Sequence, residues 1–143
     1  MKTQTLFVIL LLLTACTNNK VTTDGPSISE EATSQVLKHH WDAFKANDLE
    51  GTMADYTEES VLITPDRTFK GLSEIRENFV FAFGLFPKDS ASLQLDKTIV
   101  KDDVGYIIWK ASAPKTNLTF GTDTFIIQDG KIVRQTFAGV TTP

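Results

Sequence analysis

The chain has 143 residues, with 14 lysines and arginines against 18 aspartates and glutamates, so its formal net charge is −4. This weak acidity argues against nucleic acid as a partner, because binding nucleic acid calls for a basic surface. The only cysteine is Cys16, so no disulfide bond can form within the chain and stability must come from an ordinary hydrophobic core. The length suits one domain.

The first fifteen residues have the pattern of a secretory signal peptide. One positive charge, Lys2, precedes the wholly apolar segment Leu6–Leu13, which is far shorter than the roughly 20 residues that span a bilayer as a helix. The sequence Leu13-Thr14-Ala15-Cys16 then resembles the lipobox of bacterial lipoproteins, in which a small residue precedes the cysteine that receives the lipid. We expect a signal peptide at residues 1–15 and lipidation, including palmitate, at Cys16. The alternative is an ordinary signal peptide followed by an unmodified cysteine.

The lipobox resemblance implies a protein held on the bacterial cell envelope by its lipid. The residues after the cysteine, Thr17 and Asn18, are not the aspartate associated with inner-membrane retention in Gram-negative cells. An outer membrane, with the protein facing the periplasm, is therefore favoured for a Gram-negative cell. Residues 16–27 are polar and turn-rich, and we expect a flexible tether that leads to a single domain at residues 28–143.

The first predicted helix begins at a capping box formed by Ser27 and Glu30. Its apolar residues recur at spacings of three and four, so they share one face. They are Val36, Leu37, His40, Trp41 and Phe44.

Two further helices are predicted before the strands begin. Asn47 can end the first helix in the left-handed conformation, and Asp48 can cap a short second helix. A third helix is expected at Leu72–Phe86, between Gly71 and the helix-breaking Pro87.

The rest of the domain has the alternating pattern of strands. The predicted strands are Val61–Thr64, Leu93–Val100, Tyr106–Ala113, Thr119–Ile127 and Ile132–Val140. Asp129-Gly130 is a strong signal for a two-residue hairpin between the last two. We therefore predict an α+β domain in which three N-terminal helices pack against a curved, mostly antiparallel sheet.

With this order of elements, residues 28–140 resemble the nuclear transport factor 2-like (cystatin-like) superfamily, in its polyketide cyclase (SnoaL-like) and ketosteroid isomerase branch. Four stretches carry the resemblance across nearly the whole domain. They are Trp41–Leu49, Tyr56–Val61, Phe69–Gly71 with Ile75-Arg76, and Asp123–Ile132. The resemblance implies a cone-shaped fold around one apolar pocket, and a possible homodimer through the outer face of the sheet. It implies no single activity, because this fold carries many reactions and many proteins that are not enzymes.

Alignment to ketosteroid isomerase places three residues at its catalytic positions. Thr64 falls at the aspartate base, His40 at the tyrosine donor and Asp123 at the neutral aspartic acid. A threonine hydroxyl is too weakly basic to remove a proton from carbon at neutral pH, so steroid isomerisation is not expected.

Asp123 is the strongest candidate for a chemical role. Strand alternation puts it on the same side as Phe125 and Ile127, where burial would raise the pKa of the carboxyl. Such a group could act as a general acid, a general base or a donor to a ligand, or it could be a structural residue satisfied by hydrogen bonds. His40 could form an acid/base pair with Asp123, or it could be a satisfied core histidine.

Aromatic and hydroxyl side chains are the candidates for the wall of the pocket, with core packing as the alternative for each. They are Trp41, Tyr56, Thr64, Phe79, Phe83, Trp109, Phe125 and Phe137. No metal site is evident, since His39 and His40 should point to different faces of the helix, and no cofactor is expected.

Three functions are compatible with this sequence. The first is binding of a small apolar or amphipathic molecule by a membrane-anchored lipoprotein, without necessary chemistry. The second is an isomerase, cyclase or dehydratase with Asp123 and His40 as acid and base. The third is a protein-interaction module of the envelope, which a closed core would favour.

Overall fold

The computed structural model describes residues 25–142. The elements are α1 (Glu30–Lys45), α2 (Leu49–Met53), β1 (Val61–Ile63), β2 (Thr68–Lys70), α3 (Gly71–Leu85), β3 (Ser92–Lys101), β4 (Val104–Ala113), β5 (Thr116–Gln128) and β6 (Lys131–Thr142). The predicted signal peptide, the lipidation site Cys16 and most of the predicted tether lie outside the described residues.

The N-cap of helix α1 lies two residues later in the chain than predicted. Ser29, not Ser27, is the N-cap, and its hydroxyl accepts the backbone N–H of Ala32 at 3.3 Å. Ser27 instead donates its own backbone N–H to the carboxylate of Asp129 at 2.7 Å, which ties the start of the domain to the β5–β6 turn. The carboxylate of Glu30 accepts from Lys101, so the capping box was wrong in both of its members.

The remaining helix boundaries follow the prediction to within one residue. Asn47 ends α1 with a φ of 52°, and the carboxylate of Asp48 accepts the backbone N–H of Gly51 at the start of α2. Helix α3 runs from Gly71 to Leu85, just before Pro87.

The six strands form one curved, open sheet in the order β2-β1-β6-β5-β4-β3. All neighbours are antiparallel except β1 and β6, which are parallel. Asp129 and Gly130 both have positive φ, as the tight β5–β6 hairpin requires, and β5 and β6 pair antiparallel as predicted. Beyond Ile127 and Ile132 the pairing is shifted by one residue, so that Phe125 lies opposite Gln135. Strand β2, which pairs with β1, was not predicted from the sequence.

Two bulges change which residues face inward. On β5 the pairing skips Thr119, so Leu118 and Gly121 are both buried while the two residues between them are exposed. On β6 it skips Val133, so Ile132 and Gln135 are both buried although they lie three residues apart. A bulge also bends its strand, which contributes to the curvature of the sheet.

The helices cover one face of the sheet and enclose the core there. Helix α1 contacts β3, β4 and β5, and α3 contacts β1 and β2. The core includes Leu37, Ile75, Phe79, Phe125 and Ile132, each at most 3% exposed. The predicted α+β architecture is therefore confirmed.

None of the helices within residues 25–142 is long and apolar enough to cross a membrane.

Candidate functional site

A cavity of about 380 Å³ opens between α1, α3 and the inner face of the sheet. Eight of the ten residues proposed from the sequence line it. They are His40, Trp41, Thr64, Phe79, Trp109, Asp123, Phe125 and Phe137. Most of the remaining wall is apolar, with Phe44, Leu62, Phe81 and Phe86 among its members.

The other two proposed residues do not line the cavity. Tyr56 is buried behind the ring of His40, which it meets edge-on with 5.4 Å between the ring centroids. Phe83 is half-buried and packs against Phe44 and Phe79. Tyr56 therefore supports the wall through His40, and Phe83 supports it through these two phenylalanines.

Asp123 is the one fully buried carboxyl on the cavity wall among the described residues. It receives two hydrogen bonds, from the indole N–H of Trp109 and from the side-chain amide of Gln135, each at 2.8 Å. Burial raises the pKa of this carboxyl to about 6, and the bonds from Gln135 and Trp109 and the nearby His40 limit the rise. The sequence-based expectation of a buried Asp123 with a raised pKa agrees with this environment.

The close approach of Trp109 depends on Gly121, which lies opposite it in the β4–β5 register. A Cβ atom on Gly121 would lie 3.1 Å from the indole ring of Trp109 and 2.5 Å from the side chain of Leu118. Glycine thus leaves the space in which the indole reaches Asp123.

A chain of hydrogen bonds runs from Asp123 to His40. The side-chain oxygen of Gln135 accepts from the hydroxyl of Tyr56, and the Tyr56 oxygen lies 3.3 Å from Nε2 of His40. Asp123 and His40 therefore line the same cavity but are joined through two intermediate side chains. The predicted His40–Asp123 couple is not a directly hydrogen-bonded pair.

The second nitrogen of His40 contacts a buried aspartate that the sequence did not reveal. Nδ1 of His40 lies 3.1 Å from Asp55, and Nδ1 of the half-exposed His39 lies 2.8 Å from the other oxygen of the same carboxylate. His40 is buried and His39 is exposed, as expected for neighbours on different faces of the helix, but the two oxygens of Asp55 contact both rings. No group of three or more His, Cys, Asp or Glu side chains in residues 25–142 is arranged to hold a metal ion.

Tyr56 is held as a neutral hydrogen-bonding group. Burial raises the pKa of its phenol well above the ordinary value, and the charges of Asp123 and Asp55 raise it further. Its hydroxyl donates to Gln135, and its oxygen also lies 3.3 Å from Nε2 of His40, whose Nδ1 lies 3.1 Å from Asp55. Both nitrogens of His40 are thereby directed to partners other than a ligand.

Sequence reasoning missed Asp55 and Gln135 for different reasons. Asp55 follows the short helix α2 in a segment without strand or helix periodicity, so no pattern predicted its burial. Regular alternation from Ile132 would place Gln135 on the outer face, and only the bulge at Val133 turns it inward. Thr64 was placed correctly on the wall, but its hydroxyl also bonds to the backbone of Arg67 in the β1–β2 turn.

Comparison with solved structures supports the fold. A protein from Mesorhizobium loti, described as NTF2-like and of unknown function, is 21% identical with a TM-score of 0.68, over 81% of this chain and 97% of that chain. A candidate ketosteroid isomerase from Kribbella flavida is 15% identical with a TM-score of 0.65, over 77% and 78% of the two chains. A candidate polyketide cyclase from Sinorhizobium meliloti is 19% identical with a TM-score of 0.63, over 77% and 99%. At these identities the likeness concerns the fold alone.

The sequence itself gives a more specific assignment. No functionally curated protein matches the chain. The model of the SnoaL-like domain family, however, matches residues 37–135, a range that runs from α1 into β6 and includes the whole network from Asp55 to Asp123. The chain therefore belongs to the SnoaL-like domain family.

Proposed function

We propose that this protein is a membrane-anchored envelope lipoprotein whose single domain binds a small apolar or amphipathic molecule in the cavity. The observation that carries the binding proposal is an open, mostly apolar cavity with one buried carboxyl on its wall. Small-molecule sites typically combine apolar walls with a few polar groups in fixed positions, and a volume of 300–1,000 Å³ is usual for them. The family supports the proposal, because SnoaL-like domains often bind small molecules or act as isomerases or cyclases.

Binding can be tested with the neutral apolar dye N-phenyl-1-naphthylamine, whose fluorescence rises in an apolar environment. The full-length protein is expected to bind the dye, and Ala82→Phe, which adds a ring to the cavity wall, is expected to weaken binding at least tenfold. The matched control is Ala46→Phe, which adds the same ring at an exposed position after α1. Equal binding by both variants and the unmodified protein would contradict the proposed site.

The anchor and its location are proposed from the N-terminal sequence. The apolar run and Leu13-Thr14-Ala15-Cys16 support lipidation at Cys16, and the residues after the cysteine favour the outer membrane. A lipid anchor would hold the cavity close to a membrane, where apolar molecules concentrate.

A second candidate function is proton transfer, as in an isomerase, cyclase or dehydratase. It is favoured by the pKa of about 6 at Asp123, which lies close to working pH and thus suits a general acid or base. His40 is less suited to this role than Asp123, because both of its nitrogens already have partners. Under this hypothesis Asp123→Asn abolishes turnover while the dye still binds, whereas a pure binding protein has no turnover to lose.

The third function considered, an interaction module, has less support because the domain contains an open cavity rather than a closed core. A homodimer through the outer face of the sheet stays a prediction that analytical ultracentrifugation of the full-length protein would check.

A further inference from the structure

We propose that the occupant of this cavity is an apolar molecule that ends in a hydrogen-bond donor, that is, an alcohol, a phenol or an amine. This inference rests on the proposed binding function and narrows its ligand class. It follows from the donors and acceptors around Asp123 and from the charged side chains that line the cavity.

The first step is the spare acceptor capacity of Asp123. A carboxylate has two oxygens that together accept about four hydrogen bonds. Trp109 occupies one site on one oxygen and Gln135 one site on the other, so acceptor sites remain on both. At pH 7.5 the carboxyl is ionised, since its pKa is about 6, and a buried carboxylate is stabilised by each further donor that reaches it.

The second step is that most of the donors around Asp123 are already engaged. The indole N–H of Trp109 points to Asp123, the hydroxyl of Tyr56 points to Gln135, and both nitrogens of His40 have partners. A ligand whose polar end only accepts would leave the spare acceptor sites of Asp123 without a donor. The second hydrogen on the Gln135 amide adds a donor beside Asp123, so a hydroxyl group could donate to the carboxylate and accept from the amide.

The third step is charge. No lysine or arginine within residues 25–142 lines the cavity, whereas two acids do, Asp123 on the inner wall and the exposed Asp66. An anionic ligand would therefore meet the charge of Asp123 without a lysine or arginine on the wall to compensate it, and the ring nitrogens of His40 already contact Asp55 and Tyr56. An ammonium group would meet Asp123 and the faces of aromatic side chains such as Trp109 and Phe137, which attract cations.

The test uses four probes that share one apolar body and differ only at the end. They are 4-phenylbutan-1-ol, 4-phenylbutylamine, 4-phenylbutyl methyl ether and 5-phenylpentanoate. Isothermal titration of the full-length protein at pH 7.5 should give affinities for the alcohol and the amine at least tenfold above those for the ether and the carboxylate. The order of alcohol and amine tells whether the hydrogen bond or the charge contributes more, and either order supports the inference.

The variant Asp123→Asn adds a second measurement. It keeps the shape but replaces one acceptor oxygen by a donor, so the advantage of alcohol and amine over the ether should fall below about threefold. The matched control Asp89→Asn removes the same charge from an exposed turn outside the cavity and should keep the full advantage.

The possible failures are distinct. If the ether or the carboxylate binds the unmodified protein as tightly as the alcohol, the donor inference is overturned and the proposed binding function stands. If none of the four probes binds and the dye does not bind either, both are overturned.

Discussion

Trp109 on β4 donates its indole N–H to Asp123 on β5 across 2.8 Å, inside the core and on the wall of the cavity. This bond gives a buried carboxylate a partner that cannot itself take up a proton. It also fixes one of the two indole rings of the wall relative to the acid. The protonation of Asp123 and the shape of the cavity are therefore linked through one contact.

Replacing Trp109 by Phe should raise the pKa of Asp123 above about 6. The bond from the indole stabilises the charged carboxylate, so its loss favours the protonated form. The pKa can be followed through the carboxyl ¹³C chemical shift of Asp123 in NMR titrations. The control is Trp41→Phe, because Trp41 lines the cavity as well but is not one of the two donors to Asp123. An equal pKa change in both variants would contradict a specific role for the Trp109 bond.

The difference in unfolding free energy between the unmodified protein and Asp123→Asn should depend on pH between about 4 and 6. The pKa of Asp123 is about 6 in the folded protein and near 3.8 in the unfolded chain, so the folded state holds the proton more tightly. As pH rises through this window, the unfolded chain ionises first and the unmodified protein loses stability, by up to about 3 kcal/mol above pH 6. The Asn variant does not titrate at this position and lacks this loss.

Urea denaturation of both proteins at several pH values measures this difference, and the titration of all other carboxyls cancels in the comparison. Asp89→Asn, at an exposed position, should show no such trend. A difference that is flat from pH 4 to 7 would mean that Asp123 has an ordinary pKa.

Tyr56→Phe should destabilise the fold by about 1–3 kcal/mol, because it leaves polar groups of His40 and Gln135 buried without a partner. The other tyrosine of the chain provides the control, since Tyr106 lies half-buried on β4 outside this network. Tyr106→Phe should change stability by about 0.5 kcal/mol or less. Equal effects of the two substitutions in urea denaturation would show that the network adds nothing specific.

Cys16→Ser should block lipidation and leave an unprocessed or released protein. The thiol is the only atom in the proposed lipobox that can take the lipid, and the hydroxyl of serine does not replace it. Cell fractionation and the mass of the mature protein provide the measurement. Membrane attachment and mass that are unchanged in the variant would refute the proposed anchor.

Most of the fold could be predicted because its signals are local. Asn47, Asp48 and Gly130 each specify a boundary through their own backbone preferences, and the structure places them where these preferences require. Strand β2 escaped prediction because it has only three residues, and the pattern of so short a segment carries little information. Ser27 satisfied the capping pattern locally, but a distant partner, Asp129, binds its backbone instead.

The candidate site could be predicted only in part, because its polar contacts are not local. The alternation of β5 was enough to place Asp123 beside Phe125 on the inner face. The partners of Asp123 depend on a glycine opposite Trp109 and on the bulge before Gln135, and neither is visible in the sequence of one strand. The contact of His40 with Asp55 joins residues of two segments whose relative position only the packed fold determines.

The bulge at Val133 also affects how relatives of this chain should be aligned. Ile132 and Gln135 face the same side only because the bulge absorbs one residue between them. A relative whose β6 is one residue shorter would keep both side chains on the inner face by regular alternation, without any bulge. An alignment without a gap next to Ile132 would then pair Gln135 with a residue of the outer face. Gap placement in β6 therefore decides whether a relative is judged to share the amide that holds Asp123.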